Sequence, residues 1–440
     1  MDLRFQAFSQ AFIPLWLGQL ISNLGTQVSL YALGLCLYQR QEQLATFASV
    51  AIAVQLAKLL VVPLLSRRLQ CWPRRRVLLL AHSLATVTTV LLALALRQGS
   101  LPMAMVMGAI ALAAAAEATV LLCFSSLIPR LVSGEELGRA SGLFASWDGA
   151  VVMVAPFLGA ALAATGGLMG VLVLDGASSL VALTCTALAA WPHAALRPER
   201  GHPRRGDQAF GLGVRAAIRA LGQSPTWRPL LLLNALVSAV LAAVELGFPA
   251  WVVTAMGPWH LTLAMAIGGG GYLLGTQLWS RNWARLEAQQ WSTVLRCSLL
   301  IQGVVLTGSG LVIFERLPGL WFAAVGVFAL LVPVVLSALQ ALWQVVIPAA
   351  EQPRLFTGRY SLEWLARLVA IVLFTMFVDR VLIPAAAWPG WPPGLIAAVG
   401  SGGGRPAAMA LGLVGWGLLL PLLVLWRPLD RLGLSAAGEA

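Results

Sequence analysis

Two glutamates sit where an acid is costly. Glu245 lies within VLAAVELGFPAW and Glu117 within ALAAAAEATVLL, each flanked on both sides by apolar residues. A charged carboxylate in such surroundings is expensive, whereas its protonated form is far cheaper to bury. Acids of this kind suit the uptake and release of protons, and Glu245 is the first candidate for that role and Glu117 the second. A hydrogen bond inside a helix bundle is the alternative for both, favoured for Glu117 by the alanine run that lets a neighbouring helix approach. Gln19, Asn23 and Gln27 recur every four residues, so they share one helical face beside Ser22 and Thr26. Neutral amides on one face suit a wetted cavity and varied ligands, or bonds to other helices. Lys58, the sole lysine, can snorkel or balance a carboxylate. Glu363 and Arg367, four apart, are expected to pair along one helix. Asp148 and Asp175 read as structural.

The elements that hold these residues are apolar over most of the chain. Of 440 residues, 59% are hydrophobic and 10% charged, and the net charge is +12; mean hydropathy is +0.84. Soluble domains carry about 25% charged residues. The basic balance does not imply nucleic acid, because arginines also collect in the cytoplasmic loops of membrane proteins. Five cysteines without a CxxC, and four histidines without a metal or triad pattern, give no expectation of a disulfide, a zinc site or an enzyme. No Gly-Lys-Ser/Thr phosphate loop follows the glycines at 268–271, so no cofactor or nucleotide is expected.

A bilayer core of about 30 Å takes roughly 20 apolar residues per helix. Six such spans, from Phe12–Tyr38 to Leu168–Trp191, precede the basic, Pro- and Gly-rich stretch Pro192–Arg228, and six follow it, from Pro229–Thr254 to Pro406–Trp426. The eleventh, Tyr360–Asp379, carries Glu363 and Arg367, and the seventh is expected to carry Glu245 without a counterion. The chain is thus read as an all-α membrane protein: an N-terminal bundle over 1–191, a connector over 192–228 and a C-terminal bundle over 229–440. Arg67, Arg68, Arg74, Arg75, Arg76 and the arginines of the connector fall on one side, while the opposite loops hold only Arg40, Arg97, Arg316, Arg380 and Arg405. The arginine-rich side, with both termini, is expected to be cytoplasmic.

The halves carry matching marks in the same order. Ile128-Pro129 and Gly138-Arg139-Ala140-Ser141 follow the fourth span; Ile347-Pro348 and Gly358-Arg359-Tyr360-Ser361 follow the tenth. Ser66-Arg67 follows the second span and Ser280-Arg281 the eighth. Parallel six-helix repeats with substrate bound between them are a transporter architecture.

With WLGQLISNLGTQVSLYALGL in the first span, GEELGRASGL before the fifth, LDGASSL in the sixth and IPAAEQPRLFTGR before the eleventh, the sequence resembles the major facilitator superfamily. More narrowly it resembles the branch of drug:proton antiporters that includes macrolide-efflux and siderophore-export proteins. The resemblance implies twelve transmembrane helices in two pseudo-repeated six-helix bundles around a central cavity. It also implies a monomer in a cell membrane, a bacterial inner membrane by the company it keeps. The function it implies is export of an amphipathic small molecule by alternating access, driven by proton entry; partners are the substrate, protons and membrane lipid. Gln19, Asn23 and Gln27 would bind substrate. Arg74, Arg75, Arg139 and Arg359, in the loops that bear the family marks, would gate the conformational change, with topology alone as the other reading of Arg74–Arg76. One loop departs from the pattern: Gln70 stands where the family places an Asp, and Ser66 where it places a Gly. That departure supports the alternative of a sensor or scaffold that transports nothing.

Overall fold

The computed structural model describes residues 12–41, 44–69, 72–99, 102–131, 137–189, 191, 218–219, 222–224, 227–282, 288–311, 317–346, 352–386 and 404–438. Among them there is no strand. Most of the connector 192–228 lies outside the described residues, as do Gln70 and the side chains of Ser66, Arg139 and Asp148.

The helices are α1 (Ile13–Gln41), α2 (Leu44–Leu69), α3 (Arg74–Arg97), α4 (Met103–Leu131) and α5 (Leu137–Leu188), then α6 (Trp227–Ala255), α7 (Pro258–Asn282), α8 (Ala288–Ser309), α9 (Pro318–Val346), α10 (Gln352–Phe377) and α11 (Arg405–Gly438). α5 holds two spans. The sequence suggests a break between Thr165 and Leu168, and the turn is confined to Gly167, whose φ of 62° and ψ of −174° no side chain tolerates well. With the two arms of α5 counted apart, there are twelve transmembrane helices, six before the connector and six after it. The eleventh span is longer than expected. It starts at Gln352, passes through a π-helical turn at Val378–Leu382 and ends at Ala386.

The chain divides into two compact units, one of Met1–Arg40 with Ser49–Gln208, the other of Gln41–Ala48 with Ala209–Ala440. In the first, α3 packs on α4 and α5; in the second, α6 packs on α10 and α11, α7 on α9, and α8 on α11. Eight helices among the described residues are long and apolar enough to cross a bilayer.

α3 shows how these helices are built. Leu80, Leu84, Val87, Leu91 and Leu94 form an exposed stripe at three- and four-residue spacing. The opposite face is buried and includes His82, Thr88 and Thr89. Apolar residues outside and polar residues inside reverse the soluble pattern, and water on the outer face would oppose the arrangement. Hydrocarbon does not. Each unit still has an apolar centre, built around Leu15, Leu78, Phe124 and Leu127 in the first and around Leu230, Leu299, Leu339 and Trp343 in the second.

Small residues set the helix spacing. A methyl group on Gly275 of α7 would lie 2.0 Å from the carbonyl oxygen of Leu330 on α9, and one on Gly415 of α11 would lie 2.4 Å from the backbone nitrogen of Thr307 on α8. Such contacts replace hydrophobic collapse, which lipid does not drive between helices. Gly270, on the same helix as Gly275, faces open space. Gly275→Ala is therefore expected to destabilise the protein by about 1–3 kcal/mol, while Gly270→Ala leaves thermal unfolding in detergent unchanged or slightly later. Equal melting of the two variants would show that α7 and α9 do not meet as closely as described.

Candidate functional site

Glu117, Asp175, Glu245 and Glu363, acids well inside the helices, fall into separate clusters, each drawing on more than one helix. In the first unit, Glu117 of α4 meets Lys58 of α2 at 3.2 Å from both carboxylate oxygens. Gln27 of α1 donates from Nε2 to Glu117 Oε1 at 2.8 Å. Lys58 thus balances a carboxylate, one of the two roles open to it. The amide face of α1 divides: Gln27 serves Glu117, whereas Gln19 and Asn23 line a small cleft with Ser22, Thr26, His82 and one edge of Glu117.

Asp175 lies on the second arm of α5 and is a structural clasp. Thr89 of α3 donates to its Oδ2 at 2.7 Å and Thr26 of α1 to its Oδ1 at 3.2 Å. The clasp is possible because α1 comes close: a methyl on Gly25 would lie 2.0 Å from Ser178 Oγ.

In the second unit the structure corrects two expectations from the sequence. Glu245 is not an acid without a counterion, because Arg367 of α10 pairs with it through Nη2. Glu363 does not pair with Arg367; it binds Arg359, four residues earlier, at 2.8 Å and accepts from Asn234 of α6. Both carboxylate–cation spacings along α10 are four residues, so spacing alone could not choose between them. Packing chose, by placing Glu245 of α6 against Arg367.

The two pairs differ in surroundings. Arg359 is 6% exposed. Beyond Glu363 it reaches Gln340 Oε1 of α9 at 2.6 Å and lies 5.4 Å from the centre of the Trp343 ring, a cation–π contact that favours Arg. This network ties α6, α9 and α10 at one end of the unit. Glu245 and Arg367 are more open, with side-chain exposures of 50% and 22%. A half-open ion pair well inside two apolar helices would be costly against hydrocarbon.

Two of the remaining gating candidates, Arg74 and Arg75, are held within the first unit. Arg74 is buried, with the Cys123 thiol 3.7 Å from its carbonyl oxygen. Arg75 donates to the carbonyl of Ala187 at 2.8 Å, tying the start of α3 to the end of α5. Sequence reasoning passed over His82, Asn234 and Gln340. The signal for His82 was present, since it opposes the outward stripe of α3 and belongs to that helix's inner face. No group of three or more His, Cys, Asp or Glu among the described residues could hold a metal ion.

The sequence profile of the Major Facilitator Superfamily matches residues 15–371. The chain belongs to the Major Facilitator Superfamily. It is a multi-pass membrane transporter, and not an enzyme. No curated protein matches the sequence. Solved structures of similar fold include the nucleoside transporter NupG (TM-score 0.67, 11% identity, 94% of this chain and 99% of that one). A bacterial homologue of the iron transporter ferroportin, in an inward-facing state, gives 0.65 at 16% identity over 98% and 100% of the two chains. A bacterial homologue of the human lysosomal transporter Spinster gives 0.65 at 15% over 96% and 97%. At these identities the likeness concerns the fold, and the superfamily member must be read from its own side chains.

The Lys58–Glu117 pair is open to a direct measurement. Removing one partner of a largely buried pair strands the other charge, at a cost of about 3–5 kcal/mol. Lys58→Met alone is expected to lower thermal stability markedly, and Lys58→Met with Glu117→Gln to recover most of the loss. Strictly additive effects in this double-mutant cycle would show that the two side chains do not interact.

Proposed function

We propose that this superfamily member is a secondary active transporter that exports an amphipathic small molecule by alternating access and proton antiport, as in the drug:proton antiporter branch. It works as a monomer in the cell membrane of a bacterium, with halves 1–191 and 229–440 joined by the connector 192–228 and both termini cytoplasmic. The observation that carries the reading is the half-open Glu245–Arg367 pair between α6 and α10. A carboxylate facing water inside a membrane can take up and release protons, and its charge determines what its neighbours tolerate.

When Glu245 is charged, it neutralises Arg367 and holds α10 to α6. When it takes a proton, Arg367 loses its counterion and must find another or move. A proton arriving from one side and leaving to the other would thereby bias the two conformations in turn, since a bound species shifts an equilibrium only by its different affinity for the two states. Glu117 offers the first unit an equivalent device, with Lys58 as the cation released. Gln19, Asn23 and Gln27 supply neutral hydrogen-bonding groups suited to cargo of varied shape. Arg74, Arg75, Arg139 and Arg359 act at the helix ends as conformational gates, and Arg359, bound to three side chains at once, is the one whose rearrangement would cost most.

Glu245→Gln mimics the protonated acid. In proteoliposomes, with a fluorescent dye as cargo, it is expected to lose accumulation driven by a pH gradient while keeping dye binding and gradient-free exchange. Arg367→Gln added to Glu245→Gln should recover stability, because no stranded cation remains, without recovering accumulation. Uphill transport at the normal rate by the single variant would remove Glu245 from the coupling role and leave Glu117 as the candidate. The orientation has its own test. A tag inserted at Gly206 should react only from the cytoplasmic side, and labelling from outside intact cells would overturn the topology.

A further inference from the structure

The cleft in the first unit lies between α1, α3 and α4 and has a volume of about 30 Å³. Ala81 and Ala85 of α3 and Ala113 and Ala116 of α4 make the room, because none of them can fill it. Drug-sized ligands need about 300 Å³ or more, so cargo does not fit in this conformation, and Gln19 and Asn23 could meet it only after the helices part. One or two waters do, at about 10–15 Å³ of probe volume each.

The polar atoms around the cleft require such an occupant. Gln19 is 1% exposed, and neither its amide nitrogen nor its amide oxygen has a protein partner. His82 is 2% exposed, and its Nε2 has none either. Each buried polar atom left without a partner costs about 1–3 kcal/mol. Packing could have avoided that cost with apolar side chains, as it did over most of the inner face of α4. Both side chains instead line the one cavity that also reaches Glu117.

We infer that this cleft is a hydrated protonation site, in which water joins His82 Nε2 and the Gln19 amide to the Glu117 carboxylate, with His82 positioning the proton. The inference concerns the first unit alone. It needs neither a cargo nor the coupling role of Glu245, and it takes Glu117 as the protonatable carboxylate there. A hydronium ion that enters the cleft gives a proton to a Glu117 oxygen; water and a neutral carboxyl group remain, and the neutral His82 holds that water through Nε2. Lys58 then faces a carboxyl without charge, so the arrival of the proton weakens the link between α2 and α4.

The groups that bear on His82 are few. Glu117 of α4 lines the same cleft and is paired with Lys58 of α2. Asp175, on the second arm of α5, is tied to Thr89, two turns further along α3. Arg74 and Arg75 stand at the start of α3 itself, and α1 brings only neutral amides and hydroxyls to the cleft. A neutral imidazole can donate or accept at Nε2, and its sharing of the cleft with a paired carboxylate distinguishes this water site from one that fills a gap.

The chain has four histidines, which makes the site open to direct observation. Replacing His193, His202 and His260 with Asn leaves His82 as the sole imidazole. The full chain, labelled with ¹⁵N-histidine and held in lipid nanodiscs, should then show magnetisation transfer from water to the His82 ring. The midpoint of its titration should move on Glu117→Gln. Ala113→Leu, or the smaller Ala113→Val should the first fail to fold, fills the cleft and should abolish the water contact. A His82 ring that receives no magnetisation from water, or one whose titration is unmoved by Glu117→Gln, overturns the inference.

Discussion

A carboxylate placed in hydrocarbon must lose its charge, find a cation or reach water, and much of this structure follows from how its acids meet that requirement. Glu117 is held by Lys58 and Gln27, Glu363 by Arg359 and Asn234, Glu245 by Arg367, and Asp175 by two threonine hydroxyls. Each solution draws on at least two helices. The acids therefore act as fasteners between elements whose apolar surfaces have no preference for one another over lipid.

The fasteners are graded by exposure. Asp175, bonded to neutral hydroxyls and deeply buried, has no mobile counterion to release and serves to register α1, α3 and α5. The Arg359 network is buried, multiply bonded and stacked on an indole, which suits an end-of-helix clamp that must be broken as a unit. Glu117 and Lys58 are intermediate, with a hydrated cleft at one edge. Glu245 and Arg367 are the most open, which is why the proposed proton coupling falls to them. Close helix approach at Gly25, Gly275 and Gly415 packs the surrounding helices tightly.

Much of the architecture was legible in the sequence because the bilayer imposes a one-dimensional rule. A span must be apolar for roughly 20 residues, and that pattern needs no knowledge of partners. Helix number and the superfamily follow from it together with the short repeated marks. The identities of the chemistry-bearing residues were legible for the same reason, since a Glu or Lys within an apolar run stands out wherever the helix later packs. Along one helix, even the shared face of Gln19, Asn23 and Gln27 could be read from a period of 3.6.

Partnership was not legible. Arg367 has Glu363 four residues before it on α10, and the sequence offered that pairing; in the folded chain Arg367 belongs to Glu245, 122 residues away in sequence. Lys58 and Glu117 are likewise separated by 59 residues, and nothing in either helix specifies the other. His82 carried no motif and gained its significance from the alanines of two helices, α3 and α4, that leave a cleft beside it. Pairing depends on the rotation and depth of each helix against its neighbours, which are set by the sum of many small contacts at glycines and alanines. The sequence determined which helices cross the membrane and which charges they carry, because transfer from water to lipid is a property of each segment by itself. Tertiary structure decided which charges neutralise one another, because that is a property of distance between segments.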